Sequence, residues 1–129
     1  KHGIRLLGPN CLGLFNAGIG FYPIFSSSFE SGWPIQGRIG IASQSGAYGT
    51  HVFAVARNRG MGTSICVTTG NEGEVTLGDV IGWMAEAPEV DVICTYAEGI
   101  RESDRFLKAL ELARRNRKPI VMMKVGRSE

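Results

Sequence analysis

The sequence predicts an α/β domain built on a parallel sheet. From residue 38 onward, four short apolar runs alternate with three stretches of helical spacing, and polar or glycine-rich loops join them. The runs are nearly all apolar or β-branched, which is typical of strands covered by helices on both faces. Strands that alternate with helices form βαβ units with parallel strands. The 129 residues, 43% of them hydrophobic, suffice for one compact core.

The first 37 residues differ from the rest. Seven glycines and three prolines interrupt every periodic stretch there. Because these residues favour turns and disfavour helices, we expect no helix in this part. Residues 4–7 and 19–24 have the composition of short edge strands. We therefore expect residues 1–37 to be a Gly/Pro-rich linker with one or two edge strands.

The remaining elements follow in order. We expect strands over residues 38–42, 64–68, 92–96 and 120–125, and a first helix over 47–59. The second helix has Thr76 as its predicted N-cap, three residues before Asp79, and apolar residues at helical spacing follow it: Leu77, Val80, Ile81, Met84 and Ala85. The third helix is expected over 103–117, where basic residues complement its C-terminus and Pro119 ends it.

Composition excludes several functional classes. The 14 basic and 12 acidic residues give a net charge of +2 without a basic run, so we expect no nucleic-acid partner. The three cysteines, Cys11, Cys66 and Cys94, lack CxxC spacing, which argues against a metal site and against a disulfide framework. No apolar window has the length of a membrane span, and no secretory signal opens the sequence. We therefore expect a soluble cytoplasmic protein without a membrane partner.

The loop that follows the first parallel strand is a candidate anion site. It reads Ala42-Ser43-Gln44-Ser45-Gly46-Ala47 and leads into a predicted helix. Small residues let backbone N–H groups approach an anion, serine hydroxyls add donors, and the helix N-terminus adds partial positive charge. The loop has neither Walker A nor GxGxxG spacing. On spacing alone it predicts either a phosphate cradle or a simple helix cap.

Three other polar positions are candidates for chemistry. The loop 69–76 holds two carboxylates, which could bind a cation or repel a wrong substrate, or could be solvated charges. Glu98 leaves a strand at the edge where ligands bind, and there it could orient a histidine or cap the next turn. His51 lies one helical turn beyond the first loop, so we expect it to be packed or solvent-facing.

Several segments together resemble one enzyme family. They are Arg5-Leu6-Leu7-Gly8-Pro9-Asn10-Cys11-Leu12-Gly13, Gly37-Arg38-Ile39-Gly40-Ile41-Ala42-Ser43-Gln44-Ser45-Gly46, Gly70-Asn71, Glu98-Gly99-Ile100, Lys118-Pro119-Ile120-Val121 and Lys124-Val125-Gly126-Arg127-Ser128-Glu129. In this order and spacing, the chain resembles the NDP-forming acyl-CoA synthetases, relatives of the succinyl-CoA synthetase alpha subunit. The resemblance implies a flavodoxin-like three-layer α/β/α domain over residues 38–129. It also implies that residues 14–37 are a linker and that residues 1–13 are the tail of a CoA-binding Rossmann domain.

The resemblance also implies a reaction and its partners. The family couples acyl-CoA formation or cleavage to ATP and ADP, with Mg²⁺, through an acyl phosphate and a phosphohistidine. Coenzyme A binds the Rossmann domain, an ATP-grasp domain or subunit binds the nucleotide, and a small carboxylic acid is the substrate. The histidine belongs to a segment absent from this sequence, so we expect the chain alone to be an inactive part of a longer protein. The apolar first helix suits packing against another domain or a second copy.

Site residues are implied position by position. Ser43, Gln44, Ser45 and Gly46 would hold the phosphate of the phosphohistidine, and Glu98 would accept a hydrogen bond from the catalytic histidine. A wider group would lie near the thiol end of CoA and the acyl phosphate: Asn10, Cys11 and Asn71. Nothing around Cys11 predicts a reactive thiolate.

Two other functions remain open at this point. The domain could be a non-catalytic sensor or scaffold in a degenerate synthetase, such as one fused to a protein lysine acetyltransferase. It could also be a stand-alone flavodoxin-like FMN binder, although its loops lack the aromatic pair expected around a flavin. The sequence does not identify the acid, the choice of ATP or GTP, or the oligomeric state.

Overall fold

The computed structural model describes residues 3–126 and contains one five-stranded sheet with three α-helices. The strand order is β1-β3-β2-β4-β5; β2 to β5 are parallel, and β1 pairs with β3 in the antiparallel sense. This confirms the predicted α/β class with a mostly parallel sheet. The elements are β1 (Leu14–Asn16), β2 (Ile39–Ser43), α1 (Gly46–Asn58), β3 (Thr63–Thr68), α2 (Leu77–Glu86), β4 (Val92–Ala97), α3 (Ser103–Arg115) and β5 (Ile120–Lys124).

Helices cover the two faces of the sheet with two separate cores. Alternate side chains of a strand point to opposite faces, so neighbours in β2 belong to different cores. Ala42 packs with the apolar side chains of α2 and α3, whereas Ile41 packs with Phe53 of α1. β3 lies inside the sheet and every one of its residues is buried, as its composition predicts.

The capping of α2 matches the sequence prediction. The Thr76 hydroxyl accepts from the Asp79 N–H at 3.3 Å, and the Asp79 carboxylate accepts from the Thr76 N–H at 2.9 Å. Burial alone would raise the pKa of Asp79, but the hydrogen bonds from Thr76 and Arg105 outweigh it and the pKa lies below its ordinary value. α3 has no side-chain cap and ends at Arg115, because Arg117 adopts a left-handed conformation with φ 56°.

The N-terminal part contains a different strand from those predicted. Residues 4–7 and 19–24 are not strands, and β1 lies between them. The Asn16 N–H donates to the Phe21 carbonyl at 2.8 Å, so the chain reverses directly after β1. Phe21 and Ile24 then form only isolated bridges, with Asn16 and Gly13. Leu6 instead pairs with the loop 69–76 through the Val75 N–H at 3.1 Å. Two single-turn 3₁₀ helices, Ala17–Ile19 and Ser27–Phe29, are the helical structure described before α1.

Two features of the sheet edges depart from the simple prediction. Phe15 of β1 is completely buried and packs edge-to-face on Phe53 at 5.4 Å between ring centroids, so the region before β2 supplies part of the core. β5, predicted to be covered on both faces, is exposed along four of its five residues. β5 is the edge strand opposite β1, and no described strand pairs with its outer side.

Candidate functional site

The polar loops meet at one edge of the sheet. β2 lies between β3 and β4, so the next two strands of the chain are added on opposite sides of β2. Open α/β sheets bind ligands at the carboxyl ends of the strands where the strand order reverses in this way. A cavity of about 380 Å³ opens there. It is lined by Asn10, Cys11, Leu12, Phe25, Gln44, Ser45, Gly46, Ala47, Gly70, Asn71 and Glu98. The structure thus brings together every sequence-predicted site residue except Ser43.

The N-terminus of α1 forms one wall of this cavity. Ser45 is the N-cap, and its hydroxyl oxygen accepts from the Tyr48 N–H at 3.2 Å. The Gly46 and Ala47 N–H groups occupy the first helical positions, where the helix itself offers no acceptor. The Ser45 hydroxyl proton and these two N–H groups, with the positive end of the helix dipole, are donors suited to an anion. Leu12 packs so closely on Gly46 that a Cβ there would lie 2.5 Å from Leu12 Cγ.

Ser43 supports the helix start from beneath. Its side chain is 1% exposed, and its hydroxyl donates to the Ser45 carbonyl at 2.6 Å. Its Cβ also lies against Gly49, where an added methyl group would approach it to 3.0 Å. Ser43 therefore fixes the conformation of the loop and does not face the cavity.

Gln44 connects two loops of the site. Its Oε1 accepts from the Glu98 N–H at 2.6 Å and from the Gly99 N–H at 3.0 Å, while its Nε2 donates to the Gly99 carbonyl at 2.7 Å. The side chain thus bonds with the loop that follows β4. Its backbone N–H donates to the Tyr96 carbonyl at 3.1 Å, which continues the pairing of β2 with β4.

Glu98 stands exposed at the opposite wall. Its carbonyl accepts from Lys124 Nζ at 3.0 Å, so its backbone is held from two sides. Its carboxylate forms no ion pair with another residue of the described part of the chain. A carboxylate placed in this way can accept a hydrogen bond from a group that enters the cavity.

The N-terminal segment closes the cavity on a third side. Asn10 Nδ2 donates to Asn71 Oδ1 at 3.2 Å, and the Asn71 N–H donates to the Pro9 carbonyl at 2.9 Å. Gly70 allows this approach: its φ is +61°, and a Cβ would lie 2.4 Å from the Pro9 oxygen. Cys11 is half-buried beside these groups as a free thiol.

The two carboxylates of the loop 69–76 have structural partners. Glu72 is 8% exposed with φ 54°, and its Oε1 accepts from the Leu77 N–H at 2.7 Å and from the Thr69 hydroxyl at 3.0 Å. Glu74 pairs with Arg5 and accepts from the Leu6 N–H. Glu72 is therefore neither a cation ligand nor a solvated charge, because its carboxylate is buried and accepts hydrogen bonds at the start of α2. Its place just before a helix N-terminus was the sequence signal for this role.

The other candidate residues lie away from the cavity. His51 is exposed on α1, in agreement with the solvent-facing alternative. Burial raises the pKa of the Cys66 thiol to about 12, and burial also raises the pKa of Cys94. Among residues 3–126, no three His, Cys, Asp or Glu side chains gather as a metal site, and no helix is long and apolar enough to cross a membrane.

A second, more apolar cavity of about 270 Å³ lies beside α1, over β4 and β5. Tyr48 and Tyr96 line it and stack directly on each other, with ring centroids 4.3 Å apart. The space between the two rings is therefore filled and cannot accept a planar ligand such as a flavin.

Comparisons with known proteins agree with this architecture. Residues 36–129 match the family model described as the succinyl-CoA ligase like flavodoxin domain. The chain is 35% identical over its whole length to acetate–CoA ligase [ADP-forming] I of Archaeoglobus fulgidus, of which it covers 18%. It is 32% identical to 4-hydroxybutyrate–CoA ligase [ADP-forming] of Nitrosopumilus maritimus, again covering 18%.

A solved structure shares the fold. The dinucleotide-forming acetyl-coenzyme A synthetase 1 of Ca. Korarchaeum cryptofilum, in complex with phosphate and ADP, superposes with a TM-score of 0.82 at 30% identity. The match covers 98% of this chain and 26% of that one. The chain therefore spans about a fifth to a quarter of the length of the relatives named here.

Proposed function

This chain belongs to the family of succinyl-CoA ligase-like flavodoxin domains, and from that premise we propose that it is the phosphate-holding domain of an ADP-forming acyl-CoA synthetase. The whole protein would join a small carboxylic acid to coenzyme A while ATP is converted to ADP and phosphate. The observation that carries the proposal is the single cavity in which the N-terminus of α1 faces Glu98.

The N-terminus of α1 would hold the phosphate. Ser45 would donate its hydroxyl proton, and Gly46 and Ala47 would donate their N–H groups. These neutral donors, with the helix dipole, stabilise a phosphate without binding it as tightly as an arginine would. A phosphoryl group that is to be transferred onward must be released again, which suits such a site. Ser43 would act by fixing this loop.

Glu98 would orient a catalytic histidine that reaches the cavity from outside these residues. A carboxylate that accepts one imidazole N–H fixes the tautomer, so that the other ring nitrogen is free to accept a phosphoryl group. In the direction of acyl-CoA formation, ATP would transfer its terminal phosphoryl group to this nitrogen and leave as ADP, and the phosphohistidine would pass that group to the carboxylate of the substrate acid to give the acyl phosphate. The thiolate of coenzyme A would then attack the acyl carbon, form the thioester bond and release orthophosphate.

The third side of the cavity would face the acyl group and coenzyme A. Asn10 and Asn71 offer amide groups there, and Cys11 lies beside them as a half-buried free thiol. We assign these residues to contact with the acyl phosphate and the thiol end of CoA. A CoA-binding domain, and an ATP-grasp domain or subunit that binds ATP with Mg²⁺, would complete the enzyme.

The test compares two serines in the natural polypeptide that contains this chain. Ser45 and Ser26 both cap a helical turn, but only Ser45 lines the cavity. Because a hydrogen bond to a charged group contributes about 1.5–3 kcal/mol, Ser45→Ala should weaken orthophosphate binding about tenfold or more, whereas Ser26→Ala should leave it unchanged. Radiolabelled ATP should phosphorylate a histidine in the wild type. Equal effects of the two substitutions would refute the cradle, and binding of CoA without phosphorylation or turnover would favour the sensor.

A further inference from the structure

We infer that Gln44 is the positioning residue that aligns Glu98 with the phosphate cradle, and that it does not bind the phosphate through its own side chain. The inference rests on the proposed function and adds a role that deepens it. Gln44 immediately precedes the N-cap of α1, so its backbone leads directly into the cradle, whereas its side-chain amide bonds with the loop that carries Glu98. One residue thus fixes the separation of the two walls of the site.

The hydrogen bonds use most of what the amide offers. A glutamine side chain has one carbonyl oxygen with two acceptor positions and one NH₂ group with two donors. The oxygen accepts from the Glu98 and Gly99 N–H groups at 2.6 and 3.0 Å, and the nitrogen donates to the Gly99 carbonyl at 2.7 Å. Only one N–H remains, so the amide is committed to the loop before any ligand enters.

Among the described residues, two side chains hold the backbone of Glu98 and Gly99: those of Gln44 and Lys124. Glu98 and Gly99 follow the last residue of β4, Ala97, and α3 begins only at Ser103. Lys124 holds the Glu98 carbonyl from the side of β5 at 3.0 Å. Gln44 holds the N–H groups from the side of β2. Without Gln44, the two N–H groups would lose their acceptor, and the carboxylate would sample several positions instead of one.

The chemistry requires an amide at this position. The two N–H groups need an acceptor, and the Gly99 carbonyl needs a donor, and only an uncharged amide of this length supplies both. A glutamate would place a second negative charge beside Glu98 and would meet the Gly99 carbonyl without a proton. Methionine keeps the length and flexibility of the side chain but forms none of these bonds. Gln44→Met therefore removes the alignment with little change in volume.

The experiment uses the natural full-length protein with Gln44→Met, and the same substitution at Gln36, the other glutamine of the chain, as the control. Gln36 is exposed and does not line the cavity, so Gln36→Met should behave as the wild type. Gln44→Met should lower the rate of histidine phosphorylation about tenfold, the size expected when a misplaced Glu98 carboxylate loses its one hydrogen bond with the imidazole. The dissociation constant of orthophosphate should stay within about twofold of the wild type, because no phosphate contact is lost.

A double-mutant cycle with Glu98 separates the two roles of Gln44. If Gln44 acts through Glu98, Gln44→Met should cost little in a Glu98→Gln background, and the two effects should not multiply. A phosphate ligand would instead give independent effects and weaker orthophosphate binding, as at Ser45. Multiplicative rates, or loss of phosphate affinity in Gln44→Met, would overturn the inference.

Amide hydrogen exchange tests the inference without any measurement of catalytic activity. In the wild type the Glu98 and Gly99 N–H groups should be protected, and the protection should disappear in Gln44→Met while the strands stay protected. Exchange of these two groups at unprotected loop rates in the wild type would contradict the inference, even if Gln44→Met fails to fold. If the wild type does not phosphorylate a histidine, the proposed function fails, but the protection of Glu98 and Gly99 still decides whether Gln44 holds the loop.

Discussion

Replacing Thr68 with valine tests how the N-terminal segment is held against the site. Thr68 is the last residue of β3 and is completely buried. Its hydroxyl oxygen accepts from the N–H groups of Leu12 at 3.1 Å and Gly13 at 3.0 Å, and its proton goes to the Gly13 carbonyl at 2.8 Å. All three hydrogen-bonding positions of the hydroxyl are therefore used.

The magnitude follows from these three bonds. Valine has nearly the same shape as threonine, so Thr68→Val creates no cavity but leaves two N–H groups and one carbonyl without this partner. At about 1 kcal/mol for each net hydrogen bond, we expect the free energy of unfolding to fall by about 3 kcal/mol. The Leu12 and Gly13 backbone should also move away from the N-terminus of α1.

Thr95 provides a matched control. It is 5% exposed on β4, and its hydroxyl oxygen is buried without a hydrogen-bond partner among the described residues. Thr95→Val is the same chemical change, yet it removes a desolvated hydroxyl that gains nothing from the fold. We expect an unchanged free energy of unfolding, or one raised by up to about 1 kcal/mol.

Urea unfolding of the chain, followed by far-UV circular dichroism, measures both changes. We expect a lower urea midpoint at constant slope for Thr68→Val and an equal or higher midpoint for Thr95→Val. Equal losses in the two variants, or a change within about 0.5 kcal/mol for Thr68→Val, would refute the assignment of stability to these three bonds.

Three further predictions follow from single sites. Gly46→Ala should reduce stability by about 1–3 kcal/mol, because its methyl group would press on Leu12, whereas Gly99→Ala meets no atom within 4 Å and should be neutral in the same urea assay. The pKa of Asp79 is lowered in the fold, so the ionised carboxylate stabilises the fold above the ordinary pKa of 3.8, and this stabilisation is lost as pH falls below that value. The difference in urea midpoint between the wild type and Asp79→Asn should therefore shrink at acid pH. Cys66, whose pKa is raised to about 12, should stay unlabelled by iodoacetamide at neutral pH until the chain unfolds, as mass spectrometry would show.

The parallel strands and the helices could be predicted because their signals are local. The capping box of Thr76 and Asp79 spans three residues, and the buried strands are recognisable from their own composition. The strand bounds differ from the prediction by one residue at most. The edge strand β1 could not be predicted in the same way. Its partner β3 lies about fifty residues further along the chain. The nearby residues 19–24 have a composition that predicts a strand equally well.

The site shows the same division between local and distant information. The helix N-terminus at Ser45 is a local feature, and the sequence predicts its donors. The roles of Gln44 and Glu72 depend on which loop each side chain reaches. Gln44 bonds with residues 54 and 55 positions away, and no spacing rule connects them. The family resemblance assigned Gln44 to the phosphate site by its position in the loop, and the sequence holds no signal for the contacts that its side chain makes.

The candidate site includes residues that precede the family match. The match starts at residue 36, yet Asn10, Cys11 and Phe25 line the cavity, and Phe15 is completely buried in the core against Phe53. The wall that these N-terminal residues form lies outside the strands, so its side chains can differ between proteins without disturbing the sheet. The relatives named here act on acids as different as acetate and 4-hydroxybutyrate, while their match to this chain extends over its whole length or nearly so. Under the proposed function, the donors at α1 would face a phosphate that is common to all such reactions, so differences between acids would be better accommodated on the N-terminal wall than at the cradle.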